Sequence, residues 1–401
     1  MDTVKHVGII FSGGPAPAAN AVIAAAATAC IRQGIRVTGI LRGYQFLQAF
    51  TEESPLIENE HYMDLNANTI EGLRNTQGII LHNSRTNPAS RIDRLEDLRD
   101  PEKNSPIINI FNAFEHLKID ALISIGGDDT LKTANYLYII QKEVPGLRPV
   151  KIVHVPKTID NDYHGIDWTF GFFSAAEYAA QSIRNLGADS FTSGSYFIVE
   201  LMGRKAGWLT YAAGIMGEAI KICSVEDITD NTLDLDNLAT EISGLVEKRK
   251  NQGRDYGVIC VAEGIADKLP EEIKSKEMDS HGNIVLTSVG IAKMLAERCT
   301  QVHEARTGTK VKFIPQQIGY ETRCASPSGF DVVLASQLGA GAGIAVSQKK
   351  LSGVMVSIAE QMEITYCAFN DLIDETTGLT RLKFIEKDSD FWRLARLMEY
   401  K

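Results

Sequence analysis

Short apolar runs that end in glycine or in an acid-bearing turn recur along this chain, each followed by a stretch of helical periodicity. An apolar run of about five residues that ends in glycine and gives way to a helix is the pattern of a buried parallel strand entering a crossover. Val7-Gly8-Ile9-Ile10-Phe11 runs into Ser12-Gly13-Gly14-Pro15, and an Ala-rich helical stretch over residues 20–30 leads to Ile35-Arg36-Val37-Thr38-Gly39-Ile40. Ala121-Leu122-Ile123-Ser124-Ile125 ends in Gly126-Gly127-Asp128-Asp129-Thr130. A helix is expected next, with Leu131, Ala134, Leu137 and Tyr138 on one face. Lys151-Ile152-Val153-His154-Val155 runs into Pro156-Lys157-Thr158-Ile159-Asp160-Asn161-Asp162. Residues 196–199, 257–262 and 343–347 are expected as further strands. Residues 233–250 form an amphipathic helix whose stripe of Leu238, Ile242, Leu245 and Val246 is read as core.

These repeats predict an α/β fold of two doubly wound, Rossmann-like α/β/α lobes, with mostly parallel sheets and the active site in the cleft between them. At 401 residues the chain suits two such lobes. Residues 1–171 with about 324–376 are expected as one lobe, and 172–323 with about 377–401 as the other. The net charge of −10 argues against a nucleic-acid or anionic membrane partner, so any anionic ligand needs a local basic pocket. Cys30, Cys223, Cys260, Cys299, Cys324 and Cys367 share no CxxC spacing, which predicts free thiols in a reducing cytoplasm. The N-terminus carries no secretory pattern, and the most apolar run, around residues 21–27, is too short to span a membrane. The charged segments 91–103 and 268–276 read as solvated surface.

Five constellations carry the chemistry, and each has a plain structural alternative. Ser12-Gly13-Gly14 lets the backbone approach a phosphate, or is simply a turn. Gly126-Gly127-Asp128-Asp129 offers a carboxylate to Mg²⁺, or two acids that cap a helix. Asp160 in Thr158-Ile159-Asp160-Asn161-Asp162 can take a proton from a hydroxyl, or the segment is an Asx turn. Met202-Gly203-Arg204 and Tyr320-Glu321-Thr322-Arg323 bring arginines suited to phosphate, or to surface ion pairs.

Taken together and in this order, the five motifs resemble those of the phosphofructokinase family, from Gly8 to about Gly343. The resemblance implies phosphorylation of fructose 6-phosphate by in-line transfer, with Mg²⁺ as cofactor and a homodimer or homotetramer as the assembly. It implies that Asp128 holds Mg²⁺ and that Asp160 is the general base. Thr158, Ile159 and Asp162 line the same site. Met202, Gly203, Arg204 and Glu263 contact the sugar phosphate, and Tyr320 and Arg323 hold its 6-phosphate. Gly13, Gly14 and Arg85 face the donor.

Two positions bear on the donor. The family's ATP-using members usually have glycine where this chain has Asp129 and Lys157, and the Asp/Lys pair is similar to that of the pyrophosphate-dependent members. Asp129 sets a carboxylate against a nucleotide's α-phosphate, and like charges ~4 Å apart repel by about 4 kcal/mol at an effective dielectric near 20. Lys157 offers a cation to a shorter donor. Pyrophosphate is therefore expected, with Asp129, Lys157 and Arg204 joining Asp160 in catalysis. An ATP-dependent enzyme and a non-catalytic regulatory subunit are the alternatives; the presence of Asp128 and Asp160 argues against the second. Pro15 and Ala18 replace residues common in the ATP enzymes, and Ser195 stands where members often carry a basic residue. Lys310 and Lys312 are the nearby cations. His154 and His164 fit no metal spacing and are read as structural.

Overall fold

The computed structural model describes residues 3–92, 94–228, 232–270, 289–374 and 380–399. Its strands in chain order are β1 (His6–Phe11), β2 (Arg36–Ile40), β3 (Tyr62–Asp64), β4 (Ala121–Gly126), β5 (Lys151–Pro156), β6 (Tyr196–Leu201), β7 (Lys221–Cys223), β8 (Gly257–Ala262), β9 (Phe313–Ile318), β10 (Val354–Ala359) and β11 (Glu363–Ala368). They make two sheets in an α/β architecture. The chain divides into two compact units. One comprises Met1–Ile159, Tyr163–Phe173 and Arg323–Leu382, the other Asp160–Asp162, Ser174–Thr322 and Lys383–Lys401. Residues 160–162 thus group with the second unit, whereas the sequence boundaries kept them in the first.

The first unit holds a seven-stranded sheet in the order β11-β10-β5-β4-β1-β2-β3. Its middle is parallel, and the edge pairs β10/β11 and β2/β3 are antiparallel. β1 and β4 are buried along their whole length, which is why they read as unbroken apolar runs. The helix Ala19–Ile31 packs on the helix Gly329–Ser347. A Cβ on Gly339 would lie 2.3 Å from the carbonyl oxygen of Val22, and one on Gly343 would lie 2.5 Å from Ala29 Cβ. Residues 343–347 therefore end a helix and are not a strand. The small residues that broke the helical pattern in the sequence are what let two helix backbones touch. The helix Gly329–Ser347 is also long and apolar enough to cross a membrane, and its packing partner is the alanine-rich run judged most apolar from sequence.

The second unit holds a four-stranded parallel sheet, β7-β8-β6-β9. The helix Leu235–Asn251 buries Leu238, Ile242 and Val246 in the core beside the helix Ile291–Thr307, with Leu245 partly buried. Segment 91–103 forms a short 3₁₀ turn and the start of the helix Pro101–Leu117, with mostly exposed charges. Most of segment 268–276 lies outside the described residues. All six cysteines are free thiols; Cys30, Cys223, Cys260 and Cys299 are buried, and burial pushes those of Cys30, Cys223 and Cys299 up to about 12.

Candidate active site

In the first unit β1, β4 and β5 are neighbours, and their carboxyl ends are level. Phe11 pairs with Ile125, and Gly126 with Pro156. Three turns far apart in sequence therefore emerge side by side, where ligands bind open parallel sheets. Gly13 has φ +86°, a conformation that favours glycine. Its N–H donates to the Ser84 carbonyl at 3.0 Å, and its own carbonyl accepts from Asn83 Nδ2 at 2.6 Å. Arg85, exposed, follows this clamp directly. Lys157 is only 8% exposed, and its ammonium lies against both glycine turns. A Cβ on Gly13 would be 3.6 Å from Lys157 Nζ, and one on Gly127 would be 3.7 Å from it. Arg323, grouped from sequence with Tyr320, lies over Gly14: its Nη1 would be 3.5 Å from a Cβ there.

Gly127 is the N-cap of the helix Asp128–Glu143, whose first turn carries Asp128 and Asp129. The N-terminal N–H groups and the helix dipole favour an anion here. Gly126 admits no side chain, because a Cβ would lie 2.3 Å from Thr130 Oγ1. Asp128 is half-buried and Asp129 exposed. Exposure weakens the repulsion expected of Asp129 from about 4 kcal/mol toward the ~1 kcal/mol of bulk water. Lys157, by contrast, is buried.

After Lys157 the chain passes Thr158, whose carbonyl accepts from the buried Thr169 Oγ1 at 2.8 Å. Ile159 is buried, and Asp160 and Asp162 are half-buried. Asn161, fully buried between them, has φ +52°. Asparagine tolerates this left-handed backbone better than most residues, so the turn puts a break between the two acids.

In the second unit β6 and β8 are adjacent, and their ends Leu201 and Ala262 are paired. Met202-Gly203-Arg204 therefore meets Glu263-Gly264. Glu263, 8% exposed, accepts from the Gly203 N–H at 3.2 Å, and the Gly264 N–H donates to the Gly203 carbonyl at 3.2 Å. A Cβ on Gly264 would lie 2.2 Å from the Arg204 carbonyl oxygen. Met202 is buried and Arg204 half-buried. Tyr320, 64% exposed, opens a 3₁₀ turn held by Thr322, whose Oγ1 donates to the Gly319 carbonyl at 2.7 Å. Ser195 is buried, with its Oγ bonded to Ser193 Oγ at 2.6 Å, so it supplies no charge. Lys310 pairs with Glu304, and Lys312 is exposed.

Among the described residues no three His, Cys, Asp or Glu side chains cluster to cage a metal. Asp128 with Asp129 beside it fits Mg²⁺ all the same, since that ion is commonly held by one or two carboxylates together with substrate phosphates and water. His164 is exposed and His154 fully buried. The sequence reading passed over Asn83 and Thr169. Asn83 donates to the Gly13 carbonyl and Thr169 to the Thr158 carbonyl, side-chain-to-backbone bonds that no local pattern signals.

The chain belongs to the phosphofructokinase family, a family of phosphotransferases, whose profile matches residues 6–346. The pyrophosphate--fructose 6-phosphate 1-phosphotransferase of Thermotoga maritima is 32% identical over 98% of this chain and 90% of its own length. The ATP-dependent 6-phosphofructokinase of Corynebacterium efficiens is 32% identical over 90% of this chain and 91% of its own. Among solved structures, the pyrophosphate-dependent phosphofructokinase of Nitrosospira multiformis superposes with a TM-score of 0.72 at 21% identity, covering 99% of this chain and 92% of that one.

Proposed function

We propose that this protein catalyses the reversible, pyrophosphate-dependent phosphorylation of fructose 6-phosphate to fructose 1,6-bisphosphate. The observation that carries the choice of donor is the buried Lys157 ammonium against both Gly13 and Gly127. It fills the space over the glycine turns with a cation, which suits a short, highly charged donor. The relative from Naegleria fowleri, 30% identical, is also a pyrophosphate enzyme by name. ATP-dependent relatives are about as similar, so overall identity does not separate the two donors.

In the reaction the fructose 6-phosphate 1-hydroxyl oxygen forms a bond to one phosphorus of pyrophosphate. The bond from that phosphorus to the bridging oxygen breaks, and orthophosphate leaves. Asp160 accepts the hydroxyl proton. Lys157, Gly13, Gly14 and Arg85 hold the donor, and Arg204 and Lys157 offset charge on the transferring group. Asp128 would hold Mg²⁺, which neutralises phosphate charge when bound. Thr158, Asp162, Met202, Gly203, Glu263 and Tyr320 hold the sugar phosphate, and Arg323 contributes from beside Gly14. The enzyme is cytoplasmic and works as a homodimer or homotetramer.

The test is the rate of fructose 1,6-bisphosphate formation by the purified chain with Mg²⁺ and either pyrophosphate or ATP. Activity with pyrophosphate alone is expected, and Asp129→Gly with Lys157→Gly should admit ATP. Activity with ATP alone would overturn the donor assignment and leave the family intact. Absence of activity with both would favour a non-catalytic subunit.

A further inference from the structure

The Gly126 carbonyl is a junction beneath the candidate donor site. It accepts the Lys157 N–H at 2.9 Å and the Tyr163 hydroxyl at 3.1 Å. Tyr163 directly follows Asp162 in the chain, and Gly126 directly precedes Gly127-Asp128. Behind Tyr163 stands His154, with Nε2 3.3 Å from the phenol oxygen and the two rings stacked at 27°. Tyr163 is 3% exposed and His154 fully buried.

The hydrogens can be assigned from these contacts. A carbonyl only accepts, so the single phenol hydrogen points at Gly126. The Tyr163 oxygen is left to accept from His154, which must then carry its proton on Nε2. Nδ1 is left buried without a hydrogen-bond partner. Burial pushes His154 down to about 3, against the opposing pull of the Gly126 carbonyl and with a smaller push from the Lys157 charge, which keeps the ring neutral. An unsatisfied buried nitrogen costs stability that an apolar pair of the same shape would not.

We propose that Tyr163, oriented by His154, is a positioning residue that fixes the Gly126-Gly127-Asp128 turn against the chain segment running from Lys157 to the proton acceptor. This rests on the phosphoryl-transfer reading of Asp128, Lys157 and Asp160. Misplacement of a reacting group by about 1 Å can cost on the order of 10²-fold in rate, so even a small relaxation of this turn would register.

The experiment compares wild type with Tyr163→Phe, His154→Gln and His154→Leu. Tyr163→Phe is expected to lower kcat about 10-fold and to weaken calorimetric binding of magnesium pyrophosphate by a similar factor, with KM for fructose 6-phosphate within about 2-fold. His154→Gln keeps an N–H donor and should stay near wild type, whereas His154→Leu should resemble Tyr163→Phe. The double variant Tyr163→Phe/His154→Leu should be no worse than Tyr163→Phe alone, because the two act through one carbonyl. Wild-type kcat and magnesium pyrophosphate affinity in Tyr163→Phe would overturn the proposal. So would a loss that disappears when the assay is run well below the variant's melting point. Should Tyr163→Phe not fold, equal kcat in His154→Gln and His154→Leu would overturn it instead. An inactive wild type would reject the underlying reading, not this one alone.

Discussion

The two sheets reach their chemistry by different routes. In the seven-stranded sheet three parallel strands end level, and their turns surround one buried cation, Lys157. In the four-stranded sheet two strands end level, and a buried carboxylate, Glu263, holds a glycine turn through the Gly203 N–H. The candidate residues of the first region place charge on short loops. Those of the second depend on backbone shape, with Gly264 pressed against the Arg204 carbonyl. Substitutions of charge should therefore be felt most in the first region, and substitutions of volume in the second.

The largest expected effect is that of Asp160→Ser, in the segment that follows β5 and Lys157 in the chain and groups with the second unit. Loss of a positioned base should lower kcat by roughly 10²–10⁴ while fructose 6-phosphate binding, measured by calorimetry, changes little. Next comes volume. Gly264→Ala drives a methyl to 2.2 Å from a backbone oxygen, and a destabilisation of about 2–3 kcal/mol is expected in denaturant melts. Gly127→Ala meets Lys157 Nζ at an ordinary 3.7 Å, so its stability should stay within about 1 kcal/mol of wild type and its change should show in donor KM. Equal melting midpoints for the two alanine variants would break the comparison.

A third test uses pH. His154 titrates near its ordinary 6.5 when unfolded and is held at about 3 when folded. The unfolded chain then binds the extra proton between these values. Stability is complete above pH 6.5 and falls as the pH drops toward 3, by roughly 1.4 kcal/mol per pH unit from this one group. The acid limb of the melting temperature should be shallower in His154→Gln, and identical limbs would count against a buried neutral imidazole. The smallest effect belongs to Ala18. It starts the helix Ala19–Ile31 with φ +62°, a strained backbone for alanine. Ala18→Gly should raise stability by about 1 kcal/mol, read from the melting midpoint.

Much of this was legible in the sequence because it is local. A buried parallel strand must be apolar throughout, so 7–11, 121–125, 151–155 and 257–262 were readable as strands from their own residues. The glycine turns and paired acids were visible as local patterns too, each with a plain turn or a helix cap as its alternative. Residues 343–347 misled because a short apolar Gly-Ala run has no decisive period. Only the approach of the helix Ala19–Ile31 shows why the glycines are there.

By itself the sequence determined the strands, the glycine turns and the residue types that can hold phosphate and take a proton. The tertiary structure alone decided which turns stand together. It set Lys157 against Gly13, laid Arg323 over Gly14, buried Ser195, and joined Gly126 to Tyr163 and His154. Propensity and periodicity act over a few residues, whereas sheet order and register are fixed by packing between segments far apart in the chain.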